Sequence, residues 1–270
     1  MSYKMIVLDI DGTLTNDEKK ITPKTLDALK KAQERGIILV LASGRPVAGL
    51  KQLSRELEMD THHGILLAYN GGKVLDAEDG TVLYEKSIPV ERAKAVLRHL
   101  EQFPVTPMTY GKDCLYTIDK NGYKVEYESR IIGLEVTETK IPLSEFLSVS
   151  PVKILTAAPN EVLLSKMEEI TTPFAEEFSF VMSAPFYLEC NMKGINKATS
   201  LDYVCKSMGI KREEIISFGD AQNDITMIEY AGLGIAMENA CEELKAVANE
   251  ITLSNNEDGI AVALEKHLNI

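Results

Sequence analysis

The amino-acid sequence predicts an α/β protein: a doubly wound parallel sheet, interrupted by an inserted α+β domain. Apolar strand segments alternate with helical patterns at both ends of the 270-residue chain, the order required by a parallel sheet with helices on both faces. Between these ends, short strands and helices follow one another without that alternation. We therefore predict a discontinuous core domain, residues 1–83 and 190–270, and an inserted domain, residues 84–189.

The N-terminal part of the core begins with a strand over residues 5–8, where Met-Ile-Val-Leu is apolar throughout, as in a parallel strand buried on both faces. A helix follows, because Thr22 is a good N-cap, Pro23 suits the first helical position and Gly36 ends the pattern. The next predicted elements are a strand at 37–43, a helix at 46–59 and a strand at 64–70.

The alternation stops near residue 73, where the turn at 77–80 indicates a hairpin. Short strands mixed with helices then indicate an α+β domain. The βα order returns with a helix that ends at Gly209 and a buried strand at 215–220, followed by further helices. In the inserted domain, strands are predicted at 105–111, 114–119, 151–157, 178–184 and 186–190, and helices at 90–103 and 160–171.

Composition limits the expected partners and compartment. A formal net charge of −12 repels nucleic acid and anionic membranes at long range, so neither is an expected partner. No apolar run approaches the roughly 20 residues that span a bilayer, and the N-terminus shows no signal-peptide pattern, so we expect a cytoplasmic protein. The four cysteines are widely spaced and form no CxxC, which favours neither a zinc site nor a disulfide framework. The oligomeric state is not indicated.

Acidic residues follow predicted strands at the positions where open parallel sheets bind ligands, outside the carboxyl ends of the strands. Asp9 and Asp11 follow the first strand, and Asp220 and Asp224 follow the strand at 215–220. An extended strand would place Asp9 and Asp11 on the same side, and such a pair of carboxylates favours a cation. A solvated strand-to-helix turn is the alternative interpretation of the DxDG pattern taken alone.

The motifs do not support several other kinds of site. An EF-hand loop beginning at Asp9 would need Gly at its sixth and Glu at its twelfth position, where the sequence has Leu14 and Lys20. Neither GxxxxGK[ST] nor a strand-associated GxGxxG occurs, so a P-loop and a standard dinucleotide site are not predicted. The absence of GxSxG argues against an acyl hydrolase.

Four motifs in chain order carry a resemblance to a known family. These are DIDGT at the first strand end, ASGR at the second, GINK before a helix, and GDAQND at the later strand end. Together they resemble the four motifs of haloacid dehalogenase superfamily phosphatases, and the long insertion between the second and third resembles the large cap of the Cof-type branch. The resemblance implies that the inserted domain is a cap, which acts as a lid and selects the substrate.

The resemblance also implies roles for individual residues. Asp9 would be the nucleophile that forms an aspartyl-phosphate, and Asp11 the general acid and base. Mg²⁺ would be the cofactor, because two carboxylates that face a phosphate require a hard cation. Its implied ligands are the Asp9 and Asp220 carboxylates and the Asp11 backbone carbonyl. The implied phosphate contacts are the Ile10 and Gly44 backbone amides and the side chains of Ser43, Lys197 and Asn223.

The function implied is a Mg²⁺-dependent phosphatase of small phosphorylated metabolites, most closely sugar phosphates. The alternatives are a pyridoxal phosphate or flavin mononucleotide phosphatase, a phosphomutase, and a non-catalytic sensor of metabolite phosphates. Three roles stay open: Asp224 is either a metal ligand or a supporting residue, and Arg45 and Asn70 lie at strand ends where they could touch substrate.

Overall fold

The computed structural model of the protein describes residues 3–111 and 113–270. The chain divides into two compact units, Met1–Tyr84 with Asn196–Ile270, and Glu85–Ile195, which we call the core unit and the inserted unit. The α/β class predicted from the sequence is confirmed. Within the described ranges, no helix is both long enough and apolar enough to cross a membrane.

The core unit is built on a sheet with helices around it. Each of its central strands is short and almost entirely buried, as expected for parallel strands covered on both faces. The strands are β1 (Met5–Leu8), β2 (Ile38–Ala42), β3 (Ile65–Ala68), β4 (Lys73–Asp76), β5 (Val82–Glu85), β12 (Ile215–Gly219), β13 (Leu233–Ala236) and β14 (Glu250–Ile251). The helices are α1 (Pro23–Glu34), α2 (Ala48–Glu56), α7 (Lys197–Met208), α8 (Ile225–Tyr230), α9 (Glu242–Val247) and α10 (Gly259–Leu268).

The strand order of this sheet is β14-β13-β12-β1-β2-β3-β4-β5. The strands from β14 to β3 are parallel, and β4 pairs with β3 in the antiparallel direction. Leu8 at the end of β1 is in register with Leu41 of β2 and Phe218 of β12. The carboxyl ends of β12, β1 and β2 therefore lie side by side.

Local sequence accounts for the first helix. The Thr22 side chain accepts a hydrogen bond from the Thr25 backbone N–H at 3.4 Å, Pro23 occupies the first turn, and Gly36 follows with φ +80°. The second helix is shorter than predicted, since α2 ends at Glu56 and Met59–Thr61 forms a separate 3₁₀ turn. Glu58 between them has a left-handed backbone, which interrupts the helix.

The inserted unit has its own six-stranded sheet and its own apolar core. Buried side chains from helices and strands, including Val96, Leu163, Ile154 and Leu188, form that core. The sheet order is β10-β11-β9-β6-β7-β8, and only the β7–β8 pair is parallel. The strands are β6 (Thr106–Tyr110), β7 (Cys114–Thr117), β8 (Glu135–Glu138), β9 (Lys153–Ala157), β10 (Phe178–Ala184) and β11 (Tyr187–Met192), and the helices are α3 (Val90–Leu100), α4 (Val125–Ile132), α5 (Leu143–Phe146) and α6 (Asn160–Thr171).

Three elements of the inserted unit, strand β8 and helices α4 and α5, were not predicted from the sequence. Strand β8 reads EVTE and is largely exposed, so it lacks the apolar run by which the other strands are recognised. Helix α4 begins after Lys124, which is left-handed and offers no side-chain cap. In addition, β11 spans the expected boundary between residues 189 and 190, and the compact unit continues to Ile195.

Candidate active site

The candidate active site lies in the core unit, at the carboxyl ends of three adjacent strands. Asp9 follows β1, and its backbone N–H donates to the Phe218 carbonyl at 3.1 Å, which extends the contact with β12. Ser43 follows β2 and Asp220 follows β12. The sheet order thus brings three of the sequence motifs to one edge, where an open parallel sheet binds ligands.

The third motif, GINK, contributes Lys197, the first residue of α7, whose side chain is 0% exposed. Its Nζ donates to Asp9 Oδ1 at 2.6 Å, Asp224 Oδ1 at 2.5 Å and the Ala42 carbonyl at 2.7 Å. These bonds use all three donors of an ammonium group. Burial acts to lower the pKa of Lys197, but the Asp9 and Asp224 carboxylates outweigh it and raise the pKa above its ordinary value. Lys197 therefore stays charged.

Asp224 is fully buried and both of its carboxylate oxygens are bound within the protein. Oδ1 accepts from Lys197, while Oδ2 accepts from the backbone N–H groups of Asp220 at 3.1 Å and Ala221 at 3.0 Å. A Cβ atom on Gly219 would lie 2.6 Å from the Asp224 Cβ, so a glycine is required for this approach. This geometry suits a side chain that orients Lys197 and the Asp220 turn.

Negative charge exceeds positive charge at this edge of the sheet. Oxygens of Asp9, Asp220 and Asp224 lie within 4.8 Å of one another, and with Lys197 the three carboxylates leave a formal charge of −2. Burial raises the pKa of Asp9 well above its usual range; Asp224 and Asp220 act in the same direction and Lys197 opposes them. Burial also raises the pKa of Asp220. Clustered carboxylate oxygens with two excess negative charges fit a hard divalent cation such as Mg²⁺.

Asp220 is held in place by the loop that follows β1. Thr13 Oγ1 donates to Asp220 Oδ1 at 2.7 Å. Gly12 passes so close that a Cβ atom there would lie 2.5 Å from Asp220 Oδ2, and its φ of +88° also favours glycine. The Gly-Thr of the DIDGT motif therefore lets the loop approach Asp220 and fixes the orientation of its carboxylate.

The two aspartates that follow β1 have different environments. The expectation that both lie on one side assumed an extended strand, but β1 ends at Leu8 and the chain turns before Asp11. Asp9 is 6% exposed and binds Lys197, whereas Asp11 is exposed. Arg45 donates to the Asp11 carboxylate through Nε at 2.8 Å and Nη2 at 2.7 Å, and Lys19 donates at 3.1 Å.

This arrangement affects the protonation of Asp11. Partial burial acts to raise its pKa, but the hydrogen bonds and charges of Arg45 and Lys19 prevail and lower the pKa below its ordinary value. The Arg45 pair was not predicted from the sequence, which placed Arg45 at a strand end only. Its bidentate geometry requires the β1 and β2 loops to be adjacent, and that follows from the sheet order.

The remaining predicted residues lie around the same edge. Ser43 is buried, and its Oγ accepts from the Arg45 backbone N–H at 3.2 Å. Asn223 is exposed and its Nδ2 donates to Asn70 Oδ1 at 2.9 Å. Asn70 also lies against Gly44, where a Cβ atom would be 3.2 Å from Asn70 Nδ2. Ile10, between the two aspartates, is buried.

Comparison with known proteins gives a consistent assignment. Residues 6–264 match the haloacid dehalogenase-like hydrolase family. The putative phosphatase YxeH of Bacillus subtilis is 32% identical over 273 residues, which cover 98% of each chain. A haloacid dehalogenase-like hydrolase from Bacteroides thetaiotaomicron is 36% identical with a TM-score of 0.93, covering 98% of this chain and 99% of that one.

A further solved structure, the subclass IIB sugar phosphatase BT4131, is 27% identical with a TM-score of 0.78, covering 98% of this chain and 99% of that one. The family match and the relatives extend over both the core unit and the inserted unit. The chain therefore belongs to the haloacid dehalogenase-like hydrolase family.

Proposed function

We propose that the protein is a Mg²⁺-dependent phosphatase of small phosphorylated metabolites that acts through an aspartyl-phosphate. One observation carries this proposal: the buried Asp9 carboxylate is held by Lys197 at the strand edge where Asp220 and Asp224 cluster. A site for binding alone needs no nucleophile in such a position, whereas covalent phosphoryl transfer does.

In the first step, a carboxylate oxygen of Asp9 attacks phosphorus and the bond from phosphorus to the leaving oxygen breaks. A protonated Asp11 gives its proton to that oxygen, which departs as an alcohol. Lys197 holds Asp9 and, with Asp9 esterified, its charge faces the transferred group. In the second step the Asp11 carboxylate takes a proton from water, which attacks phosphorus and releases phosphate with regeneration of Asp9.

The ion pair between Arg45 and Asp11 favours the ionised form of Asp11 over the protonated form. Because it lowers the pKa, it stabilises the carboxylate that the second step needs as a base. Donating a proton in the first step requires Asp11 to give up at least part of its bidentate contact with Arg45. Arg45 is thus a residue that sets the balance between the acid and base forms of Asp11.

The residues that would hold Mg²⁺ are the Asp9 and Asp220 carboxylates and the Asp11 backbone carbonyl. The ion supplies positive charge that keeps Asp9 ionised and neutralises phosphate oxygens. The fit rests on the excess of carboxylates over cations, which a divalent cation would balance. Asp224, whose oxygens are already bound, supports Lys197 instead.

The phosphate oxygens would be bound by the residues around the strand edge. Ser43 Oγ and the Gly44 amide follow β2, Asn223 precedes α8, and the Ile10 amide lies between the two aspartates. Phosphoryl transfer asks a protein mainly for such positioning and charge neutralisation. Asn70 orients Asn223 through its amide and is therefore assigned a supporting role.

We assign substrate selection to the inserted unit, and sugar phosphates are the proposed substrate class, by analogy with the sugar phosphatase BT4131. Relatives with other named substrates give the alternatives. A pyridoxal phosphate phosphatase of Escherichia coli is 27% identical, and a 5-amino-6-(5-phospho-D-ribitylamino)uracil phosphatase of Bacillus subtilis is 28% identical. Phosphate release measured over sugar phosphates, pyridoxal phosphate and flavin-type phosphates discriminates among these classes.

The test of the mechanism compares Asp9→Asn and Asp11→Asn. Mixed with an aryl phosphate, whose leaving group needs little protonation, Asp11→Asn should gain a phosphoryl group in intact-mass measurement, because attack proceeds and hydrolysis lacks its base. Asp9→Asn should gain none. Asp60→Asn, an exposed residue away from the strand edge, is the matched control and should turn over as wild type does. Turnover retained in Asp9→Asn would contradict the assignment.

Two other functions are separated by product analysis. A phosphomutase returns the phosphoryl group to the substrate and yields an isomer without free phosphate. A sensor binds phosphorylated metabolites without turnover and forms no covalent adduct on Asp9. Stoichiometric release of inorganic phosphate supports the phosphatase.

A further inference from the structure

A network of asparagines binds the loop that follows β1 and carries Asp11. Asn239, in the segment after β13, donates through Nδ2 to the Gly12 carbonyl at 2.8 Å. Asn255, in the segment after β14, donates through Nδ2 to the Thr15 carbonyl at 3.0 Å. Both contacts bind backbone acceptors within four residues of Asp11.

The two asparagines also bind each other. The Asn255 backbone N–H donates to Asn239 Oδ1 at 3.0 Å, so Asn239 uses its amide oxygen toward one segment and its amide nitrogen toward the other. Asn255 is 7% exposed, and its Nδ2 also donates to Asp17 Oδ1 at 3.3 Å. The amide side chain both donates and accepts here, whereas aspartate lacks the donor and leucine lacks both groups.

These contacts restrict the backbone on both sides of Asp11. On one side, Thr15 donates to the Ile10 carbonyl through its N–H and its Oγ1, each at 2.9 Å, and Asn255 holds Thr15. On the other side, Asn239 fixes the carbonyl of Gly12, a residue whose φ of +88° allows the chain to turn. The direction of the Asp11 side chain depends on both peptide units.

We propose that Asn239 and Asn255 are positioning residues that place Asp11 for its acid and base steps, an inference that rests on the proposed phosphatase function. Asp9 does not depend on this network in the same way, because it is held by the β12 backbone and by Lys197. Loss of the network should therefore slow the steps that use the Asp11 carboxyl group more than the attack by Asp9. A misplacement of about 1 Å in such a group changes a rate by about 100-fold.

The experiment measures formation and decay of the phosphorylated protein separately, by rapid quench and intact mass. With an aryl phosphate, N239A should form the adduct at a rate within about threefold of wild type, since this step needs little proton donation. Its decay, which needs Asp11 as a base, should be slower by about 10- to 100-fold. The adduct should therefore accumulate in N239A. Asn239 is exposed, which favours folding of the variant.

Two further variants make the result specific. N239D keeps the size of the side chain and its acceptor for Asn255 but lacks the donor to Gly12, and it should also accumulate the adduct. N256A is the matched control. Asn256 is an exposed asparagine next to Asn255, and among the described residues it binds only Asp17, at the far end of the loop. N256A should behave as wild type.

A double variant completes the test. In a D11N background, N239A should not slow adduct decay further, because the group that it positions is already absent. Two results would overturn the positioning role while leaving the phosphatase intact. One is equal slowing of adduct formation and decay in N239A. The other is a further slowing of decay in the double variant, as large as the slowing in N239A alone. A wild-type protein that neither releases phosphate nor forms an adduct would instead overturn the proposed function, and the positioning role with it.

Discussion

Among the residues that the structure describes, each compact unit buries one lysine beside an acid, and the two sites differ in charge and position. In the core unit, Lys197 lies between Asp9 and Asp224 at the end of a parallel sheet. In the inserted unit, Lys153 of β9 pairs with Glu189 of β11 at 2.7 Å, and their side chains are 5% and 12% exposed.

The Lys153–Glu189 pair is neutral by itself and joins two adjacent antiparallel strands, with the Tyr110 ring 5.1 Å from the ammonium. The site around Lys197 has an excess of carboxylates, and it lies where loops rather than strands surround the charges. Burial of a lysine therefore does not identify a reactive site. Unbalanced charge at a strand end is what supports the cation and ligand site proposed for the core unit.

The largest effect expected concerns the metal. Removal of divalent ions with EDTA should lower phosphatase activity by at least about 10³-fold, because the excess negative charge then opposes both ionised Asp9 and an incoming phosphate. Added Mg²⁺ should restore activity. Circular dichroism should show a folded protein throughout. Full turnover by metal-free protein would show that the excess negative charge around Lys197 does not require a cation, and the proposed difference from the Lys153 site would be lost.

Replacement of each lysine tests the comparison directly. Lys197→Met should lower kcat for an aryl phosphate by about 10²–10³-fold, because a charge that faces the transferred group is lost. Lys153→Met should change it less than about threefold, whereas either substitution should lower the free energy of unfolding by about 3–5 kcal/mol by leaving a buried carboxylate unpaired. Steady-state kinetics and urea denaturation measure the two effects. Equal activity losses would show that Lys153 also takes part in catalysis.

Double replacements should separate the sites by stability. Lys153→Met combined with Glu189→Leu removes a neutral pair, so the free energy of unfolding should return to the wild-type value or exceed it by about 1–4 kcal/mol. Lys197→Met combined with Asp224→Leu leaves Asp9 and Asp220 without a cation, so this double variant should recover much less of the wild-type free energy of unfolding. Urea denaturation in EDTA compares the two variants. A wild-type free energy of unfolding in both double variants would contradict the charge imbalance inferred for the core unit.

The smallest effect concerns alkaline pH. The pKa of Lys197 is raised in the folded protein, so its contribution to stability is complete below the ordinary lysine value of about 10.4 and is lost as pH rises through the folded pKa. Over that window the free energy of unfolding should fall by up to about 1.4 kcal/mol per pH unit. Lys197→Met should lack this component and Lys153→Met should retain it. Urea midpoints measured from about pH 9 to about pH 11.5 provide the test.

Sequence reasoning was most successful where local chemistry is sufficient. The apolar strand of residues 5–8 and the helix after Thr22 were predicted from a few adjacent residues, and both are present. Strand β8 was missed because an exposed strand carries no apolar pattern. The same-side prediction for Asp9 and Asp11 assumed an extended strand through both residues, but the strand ends at Leu8, and its periodicity ends there too.

The environment of individual side chains was harder to predict from the sequence than the secondary structure. Read alone, Lys197 would be a surface lysine at a helix start, and only the presence of the other three motifs indicated a functional role; the structure buries it completely. Arg45 was noted as a strand-end residue, but its bidentate bond to Asp11 was not predicted. Asn239 and Asn255 carried no signal, because exposed turns and loops commonly contain asparagine.

The sequence by itself determined most elements of the core unit, their order and the polar residues that follow its strands, because propensity, capping and hydrophobic periodicity act over a few neighbouring residues. Only the tertiary structure decided which of those residues meet. Lys197 and Asp9 are 188 positions apart, and Asn255 and Thr15 are 240 apart. Their contacts depend on the order of strands in the sheet and on the path of the connecting loops, so the balance of charge at the strand edge is a property of the folded chain.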